Sequence, residues 1–376
     1  MSTNRTLVTL AFASILAFAA LGWLEAAEPS VADAKVAAEL GAYLDDLAQK
    51  GEFSGVLLLA RGSDTLFARA YGLADRERGI PNRIDTKLNL ASMNKMFTGV
   101  AIAQLAEQGK LSFDDKVGKH LPDYPNREVA EKVTIHHLLT HTSGLGSYWN
   151  PRYQAAKDRL EKLGDFLPAF VDEPLAFQPG ERFEYSNAGY IVLGLIVEKV
   201  SGESYAEYVR RHVYEPAGMT DTAFYPKDQE IPNRAIGYQT LEGPGGAPLA
   251  GGPRPNTAEL GRIGGSAGGG YSTAPDLLRF ATALREQRLL SAAMTKTVLT
   301  GKVPMPAGPG MKVLYGYGFG EEIEGGHRIV GHNGGSPGVR GQLDIDLDSG
   351  VTLVILSNVD ARILVIRDKV RKLLAG

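Results

Sequence analysis

The residues best suited to β-strands lie at the two ends of this chain. Near the start, Phe53 to Ala60 and Thr65 to Tyr71 are apolar, partly β-branched runs separated by Arg61-Gly62-Ser63-Asp64, the chemistry of a tight turn. Near the end, Gly316–Ile323, His327–Val330, Gln342–Leu347 and Val351–Asn358 form a second group, the last two joined by Asp348-Ser349-Gly350. A two-stranded hairpin is marginal by itself, so the early pair needs partners, and the late group supplies them. The chain therefore closes on itself in one antiparallel sheet. Helical spacing at 31–50 (Val36, Leu40, Leu44, Leu47) and at 363–374 provides helices to cover that sheet.

The middle of the chain reads differently. Apolar residues at Phe97, Val100, Ala101 and Leu105 mark a helix closed by Gly109. Further helical segments follow at Val133–Thr140, Arg159–Phe170, Tyr190–Val200 and Tyr205–Val213, separated by Pro- and Gly-containing loops. Residues 226–270 are a Gly/Pro-rich irregular excursion, and Ala274–Gln287 is helical again. The expected fold class is α+β: an antiparallel sheet flanked by N- and C-terminal helices, plus a mostly helical second lobe. In residue terms, the expected α/β lobe comprises 31–90 and 271–376, and 91–270 forms the helical lobe with its excursion.

Bulk properties exclude several functions. A net charge of −3 over 376 residues gives no electrostatic reason to bind nucleic acid or an anionic membrane. With no cysteine, the chain has no disulfides, thiolate chemistry or cysteine-based metal sites. The first 29 residues carry Arg5, an apolar run from Leu7 to Leu24, then Glu25-Ala26-Ala27-Glu28-Pro29. This is the pattern of a secretory signal peptide spanning residues 1–27, cleaved near Ala26 or Ala27. The expected location is periplasmic or secreted. The run is also close to spanning length, so the alternative is an uncleaved inner-membrane anchor with the protein facing outward.

Three stretches carry chemistry. In Leu90-Ala91-Ser92-Met93-Asn94-Lys95, Ser92 and Lys95 are three apart at a helix start and share a face. A lysine amine whose pKa is lowered by desolvation can take the serine proton and make it a nucleophile. Phe183-Glu184-Tyr185-Ser186-Asn187 precedes a helix; it offers a phenol to shuttle a proton and an amide to hold a carbonyl, although Asn187 could equally cap the helix. Val330-Gly331-His332-Asn333-Gly334-Gly335-Ser336 lies on or beside a late strand, its glycines permitting close approach of a substrate backbone.

In that order and spacing, these three stretches resemble the serine β-lactamase/DD-peptidase superfamily, in particular its branch of class C β-lactamases, D-aminopeptidases and family VIII carboxylesterases. His137-Leu138-Leu139-Thr140-His141-Thr142-Ser143-Gly144-Leu145 and Gly270-Tyr271-Ser272-Thr273-Ala274 are similar to that branch too. The resemblance runs from about residue 35 to 376 and implies roles position by position. Ser92 would be acylated. Lys95 would be its base, or the positive charge that keeps Tyr185 proton-poor. Tyr185 would protonate the leaving group and later activate water. Asn187 would bind the acyl side of the substrate, and the backbone N–H groups of Ser92 and Gly335, beside Gly334, would form the oxyanion hole. His332 stands where β-lactamases of this branch carry lysine, which weakens the case for a substrate carboxylate there. The implied enzyme is an exported serine hydrolase for amides or esters, with a small-molecule or peptide substrate and no cofactor or metal. A carboxylesterase for short-chain esters is the alternative, and a non-catalytic penicillin-binding-like sensor or scaffold is a third reading.

Three other signals are weaker. Gly264-Gly265-Ser266-Ala267-Gly268 has the G-x-S-x-G form but lacks the strand before and the helix after it that a nucleophile elbow requires. His137 and His141 are four apart on a presumed helix, yet Leu138 stands where a metalloprotease motif requires glutamate, so packing or capping histidines are expected. Tyr148 and Trp149 follow a glycine-containing loop and are candidates for a cleft wall.

Overall fold

The computed structural model describes residues 30–243, 245–307 and 312–375. The signal-peptide reading of residues 1–27 lies outside them. Among the described residues, no helix is long and apolar enough to cross a membrane.

One eight-stranded antiparallel sheet unites the two ends of the chain. Its strands are β1 (Gly55–Arg61), β2 (Asp64–Tyr71), β3 (Val303–Pro304), β4 (Val313–Tyr315), β5 (Gly320–Glu324), β6 (His327–Ser336), β7 (Val339–Asp346) and β8 (Val351–Ser357). The spatial order is β2-β1-β8-β7-β6-β5-β4-β3, so the first strand lies beside the last. Gly55 pairs with Ser357 and Arg61 with Val351 along this junction.

Both faces of the sheet are covered, which explains why β1 and β8 read as continuous apolar runs rather than alternating ones. On one face Leu57, Leu59, Leu353 and Ile355 pack with Leu40 and Leu44 of α1 (Val31–Gln49) and with Ile366 and Val370 of the C-terminal helix, Ile363–Ala375. On the other, Val56, Leu58, Val354 and Leu356 join the large core shared with the central helices. At the middle of that core runs α2 (Lys95–Glu107), whose Met96, Phe97, Val100, Ala101 and Ile102 have no exposed surface. A helix apolar all round belongs inside. Phe97 meets Tyr214 and Phe280 edge to face, and α2 packs along α3 (Asn187–Ser201).

The α+β class is as expected, and several local expectations need correction. Ser92 does not begin an α-helix; it lies in a 3₁₀ turn, Ala91–Asn94, and α2 starts at Lys95. The segment at Arg159–Phe170 is 3₁₀ rather than α-helical, with Pro168 unable to donate a helix hydrogen bond. The strand expected to stop at Val330 continues to Ser336, with Gly331 and Gly334 where flanking backbone crowds the strand. A Cβ on Gly331 would stand 1.8 Å from the Leu343 carbonyl oxygen, and one on Gly334 2.2 Å from that of Leu90.

Candidate active site

The Ser92 turn is built by its surroundings as much as by its own sequence. Ala91 adopts a left-handed backbone, φ 43°, strained for a residue with a Cβ. The glycine-rich loop at 264–270 holds it there. Gly269 N–H donates to the Ala91 carbonyl at 3.3 Å, Leu90 N–H donates to the Gly270 carbonyl at 2.8 Å, and Asn94 Oδ1 accepts Gly270 N–H at 2.8 Å. Gly268 has to be glycine: a Cβ would lie 2.8 Å from the Ala91 carbonyl oxygen. The G-x-S-x-G match therefore supports the Ser92 turn. Ser266 is fully buried, and its hydroxyl has no hydrogen-bond partner.

Lys95 is also fully buried, without an acidic partner among the described residues. Its Nζ lies 3.3 Å from Ser92 Oγ, 2.8 Å from Asn187 Oδ1 and 2.6 Å from the Ala267 carbonyl oxygen. It sits over the rings of Tyr185 and Tyr190, 4.8 Å and 5.3 Å from their centroids. Burial drives its pKa well below the ordinary lysine range. A neutral amine fits this nest: two N–H donors for the two carbonyl oxygens, and one lone pair for the serine proton.

Asn187 is the first residue of α3, and the cap is Ser186, whose hydroxyl accepts Gly189 N–H at 2.9 Å. Relieved of capping, the Asn187 amide is turned to Lys95. Tyr185, just before the cap, is 38 % exposed. Desolvation around its hydroxyl raises that pKa above the usual phenol range, and the Ser92 hydroxyl pulls weakly against this.

His332 is placed otherwise than a substrate-binding residue would be. Its Nδ1 faces the Asn333 carbonyl and its Nε2 the Tyr315 hydroxyl at 2.9 Å. The carbonyl can only accept, so Nδ1 carries the proton and Nε2 accepts from Tyr315. Burial, with Lys95 nearby, lowers its pKa to about 3, so the imidazole is neutral with both nitrogens occupied. Gly334 and Gly335 follow on β6, opposite Gly341 and Arg340 of β7. On the other side β5 begins at Gly320, opposite Gly331, so from His332 onward that edge of β6 has no strand partner in the sheet. Its free backbone groups are available to a substrate.

The presumed helix through His137 and His141 ends at Leu139. Thr134 caps it, accepting His137 N–H at 3.1 Å, and His137 completes the capping box, its Nδ1 accepting Thr134 N–H at 3.2 Å. His141 lies beyond it, left-handed at φ 58° and fully buried against Tyr185. Sequence reasoning left His141 among packing or capping residues, because a backbone turn of that hand has no signature in a non-glycine residue. It also missed the Ala267 carbonyl, which any residue would present. Tyr148 and Trp149 do line the cleft of about 300 Å³ that opens onto Ser92, Asn187 and Gly335.

Comparisons with known proteins identify the family and the fold. The family model for β-lactamase matches residues 36–375. Penicillin-binding protein 4* of Bacillus subtilis is 32 % identical over 337 residues, covering 85 % of this chain and 71 % of the relative. The crystal structure of a penicillin-binding protein from Bacillus halodurans is 35 % identical with a TM-score of 0.77, covering 88 % of this chain and 99 % of that one. The D-amino acid amidase of Ochrobactrum anthropi shares the fold at 23 % identity, with a TM-score of 0.74 over 91 % of this chain and 99 % of that one. The Ser-x-x-Lys pair with its buried lysine, the Tyr-x-Asn at the start of a helix and the glycine-rich sheet edge stand in a chain that the family model spans almost entirely, and the chain belongs to the β-lactamase family of serine hydrolases.

Proposed function

We propose that the protein is an exported hydrolase that cleaves amide or ester substrates through an acyl-enzyme on Ser92. The observation that carries this reading is Lys95: a wholly buried amine with no counter-ion among the described residues, 3.3 Å from the serine hydroxyl and held by two neutral acceptors.

As Ser92 Oγ bonds to the substrate carbonyl carbon, its proton passes to Lys95 Nζ. The carbonyl oxygen takes up the negative charge beside the N–H groups of Ser92 and Gly335. Collapse breaks the bond to the leaving group, which takes a proton from Tyr185; the Lys95 ammonium returns one to the phenol. Water then attacks the acyl carbon, giving up a proton through the same pair, and Ser92 Oγ recovers its hydrogen as the acid departs. In this sequence Lys95 is the base, because a depressed amine and an elevated phenol put the mobile proton on Tyr185.

The neutral, fully engaged His332 favours the esterase and amidase side of the family over efficient β-lactam hydrolysis. The complete set of Ser92, Lys95, Tyr185 and Asn187 in contact distance disfavours a sensor or scaffold. Export rests on the Arg5 to Pro29 pattern.

Intact mass after exposure to a fluorophosphonate and to a penicillin, with Ser92→Ala alongside, is the test. A covalent adduct absent from the variant supports the reading. Failure of both reagents to label wild-type protein revives the sensor or scaffold.

A further inference from the structure

Two chambers of different character adjoin the candidate catalytic residues, one lined by Ser92 and the other by Tyr185. The larger, about 300 Å³, is lined by Ser92 and Asn187 and walled by the aromatic rings of Tyr148, Trp149, Tyr153, Phe166, Tyr225 and Tyr271. Trp149 stands at its mouth, 46 % exposed, its ring 5.6 Å from that of Tyr148 and 4.8 Å from that of Tyr153. An aromatic left this open within a concave wall is a contact surface for a ligand. The one lining residue with a full charge is Lys227, and its ammonium is already bound to Asp158 and to the Leu260 carbonyl.

The smaller chamber, about 130 Å³, is lined by Tyr185, His332 and Asn333 and reaches Gln342, Asp344, Arg367 and Arg371 across the sheet. Its cations are already matched. Arg371 pairs with Glu322 at 3.0 Å, Glu324 at 2.6 Å and Asp344 at 2.7 Å, and Arg367 with Glu322 and Asp368. A carboxylate entering here meets Glu322 and Asp344 beside two arginines already paired to acids, and an imidazole with no N–H to spare.

Tyr185 borders the small chamber and not the large one, so the group it protonates leaves by the small side. Asn187 borders the large one, on the acyl side. We propose that the substrate is an ester or amide with an uncharged, aromatic or similarly bulky apolar acyl group seated against Trp149, and a small leaving group without a carboxylate. This rests on the serine-hydrolase reading and narrows it. Substrates whose leaving group is a free amino acid, and acyl groups bearing a free charge, are excluded.

Four esters separate the terms: phenylacetic and acetic acids, each joined to glycolamide or to glycolic acid. The two leaving groups match in size and differ in charge. The phenylacetyl ester of glycolamide is expected to exceed both its glycolate counterpart and its acetyl counterpart in kcat/KM by about tenfold or more. Trp149→Ala should narrow the phenylacetyl-to-acetyl ratio, and Trp149→Phe should restore most of it. Equal or faster turnover of the glycolate ester, or a ratio unmoved by Trp149→Ala, overturns the proposal. A fluorophosphonate run in parallel keeps the two readings apart. Labelling of Ser92 with the wrong ester preference sinks this inference alone; absent labelling together with absent turnover sinks both.

Discussion

The imidazole of His141 lies against the phenol ring of Tyr185, centroids 4.2 Å apart and planes 34° from parallel. The same histidine holds the chain on both sides of that tyrosine. Its carbonyl accepts Glu184 N–H at 2.8 Å, and its Nδ1 accepts Ser186 N–H at 3.0 Å. The left-handed backbone at His141 lets carbonyl and ring reach the same strip of chain. Loss of the ring frees the Tyr185 loop and leaves the buried Ser186 N–H unpaired. His141→Ala is expected to lower kcat by about tenfold or more, with KM less affected, the signature of misplaced proton transfer. Asparagine has an acceptor oxygen near the same place and tolerates positive φ, so His141→Asn should recover much of the loss. Equal kcat in His141→Ala and wild type would refute the positioning role.

Tyr185→Phe keeps the ring on His141 and deletes the proton donor. Turnover should fall by about 10²–10⁴-fold while the melting temperature barely moves. The loss should shrink for esters whose leaving group departs without protonation. A uniform loss across leaving groups would assign Tyr185 a binding role instead.

The pH profile separates the two roles open to Lys95. As base it must be neutral, so kcat/KM rises with pH through its depressed pKa, on an acid limb well below the ordinary lysine value of about 10.4. Tyr185 must keep its proton, and its raised pKa sends the alkaline limb above the ordinary phenol value of about 10. His332 is already neutral above about 3 and adds no limb near neutrality. A profile that falls with rising pH across the neutral range would mean that charged Lys95 is the active form.

Gly334→Ala tests how tightly β6 is laid on the Ser92 turn. The added methyl would stand 2.2 Å from the Leu90 carbonyl oxygen and 3.2 Å from Met93. The strand must shift, at a cost of about 1–3 kcal/mol. Thermal unfolding should show the loss, and turnover should drop with it because Gly335 moves too. Wild-type stability and activity together would show that the edge is loosely packed.

Much of this molecule is legible in its residues. The strand-forming runs at the two ends dictate a sheet closed by the first and last strands, and Gly55 opposite Ser357 fulfils that. Ser92 and Lys95 share a face because three residues make about one turn, whether 3₁₀ or α. Periodicity and turn chemistry are local properties, so sequence carries them. The state of Lys95 is not local: the Ala267 carbonyl, Asn187 Oδ1 and two tyrosine rings come from distant parts of the chain, and their convergence is what strips water from the amine. The same holds for His332, whose ring is kept neutral by burial and by Lys95 nearby, while Tyr315 occupies its Nε2. The residues decided which groups were available for chemistry; the tertiary structure decided which were dry, charged and aimed, because desolvation and direction arise only when separate segments close around one point.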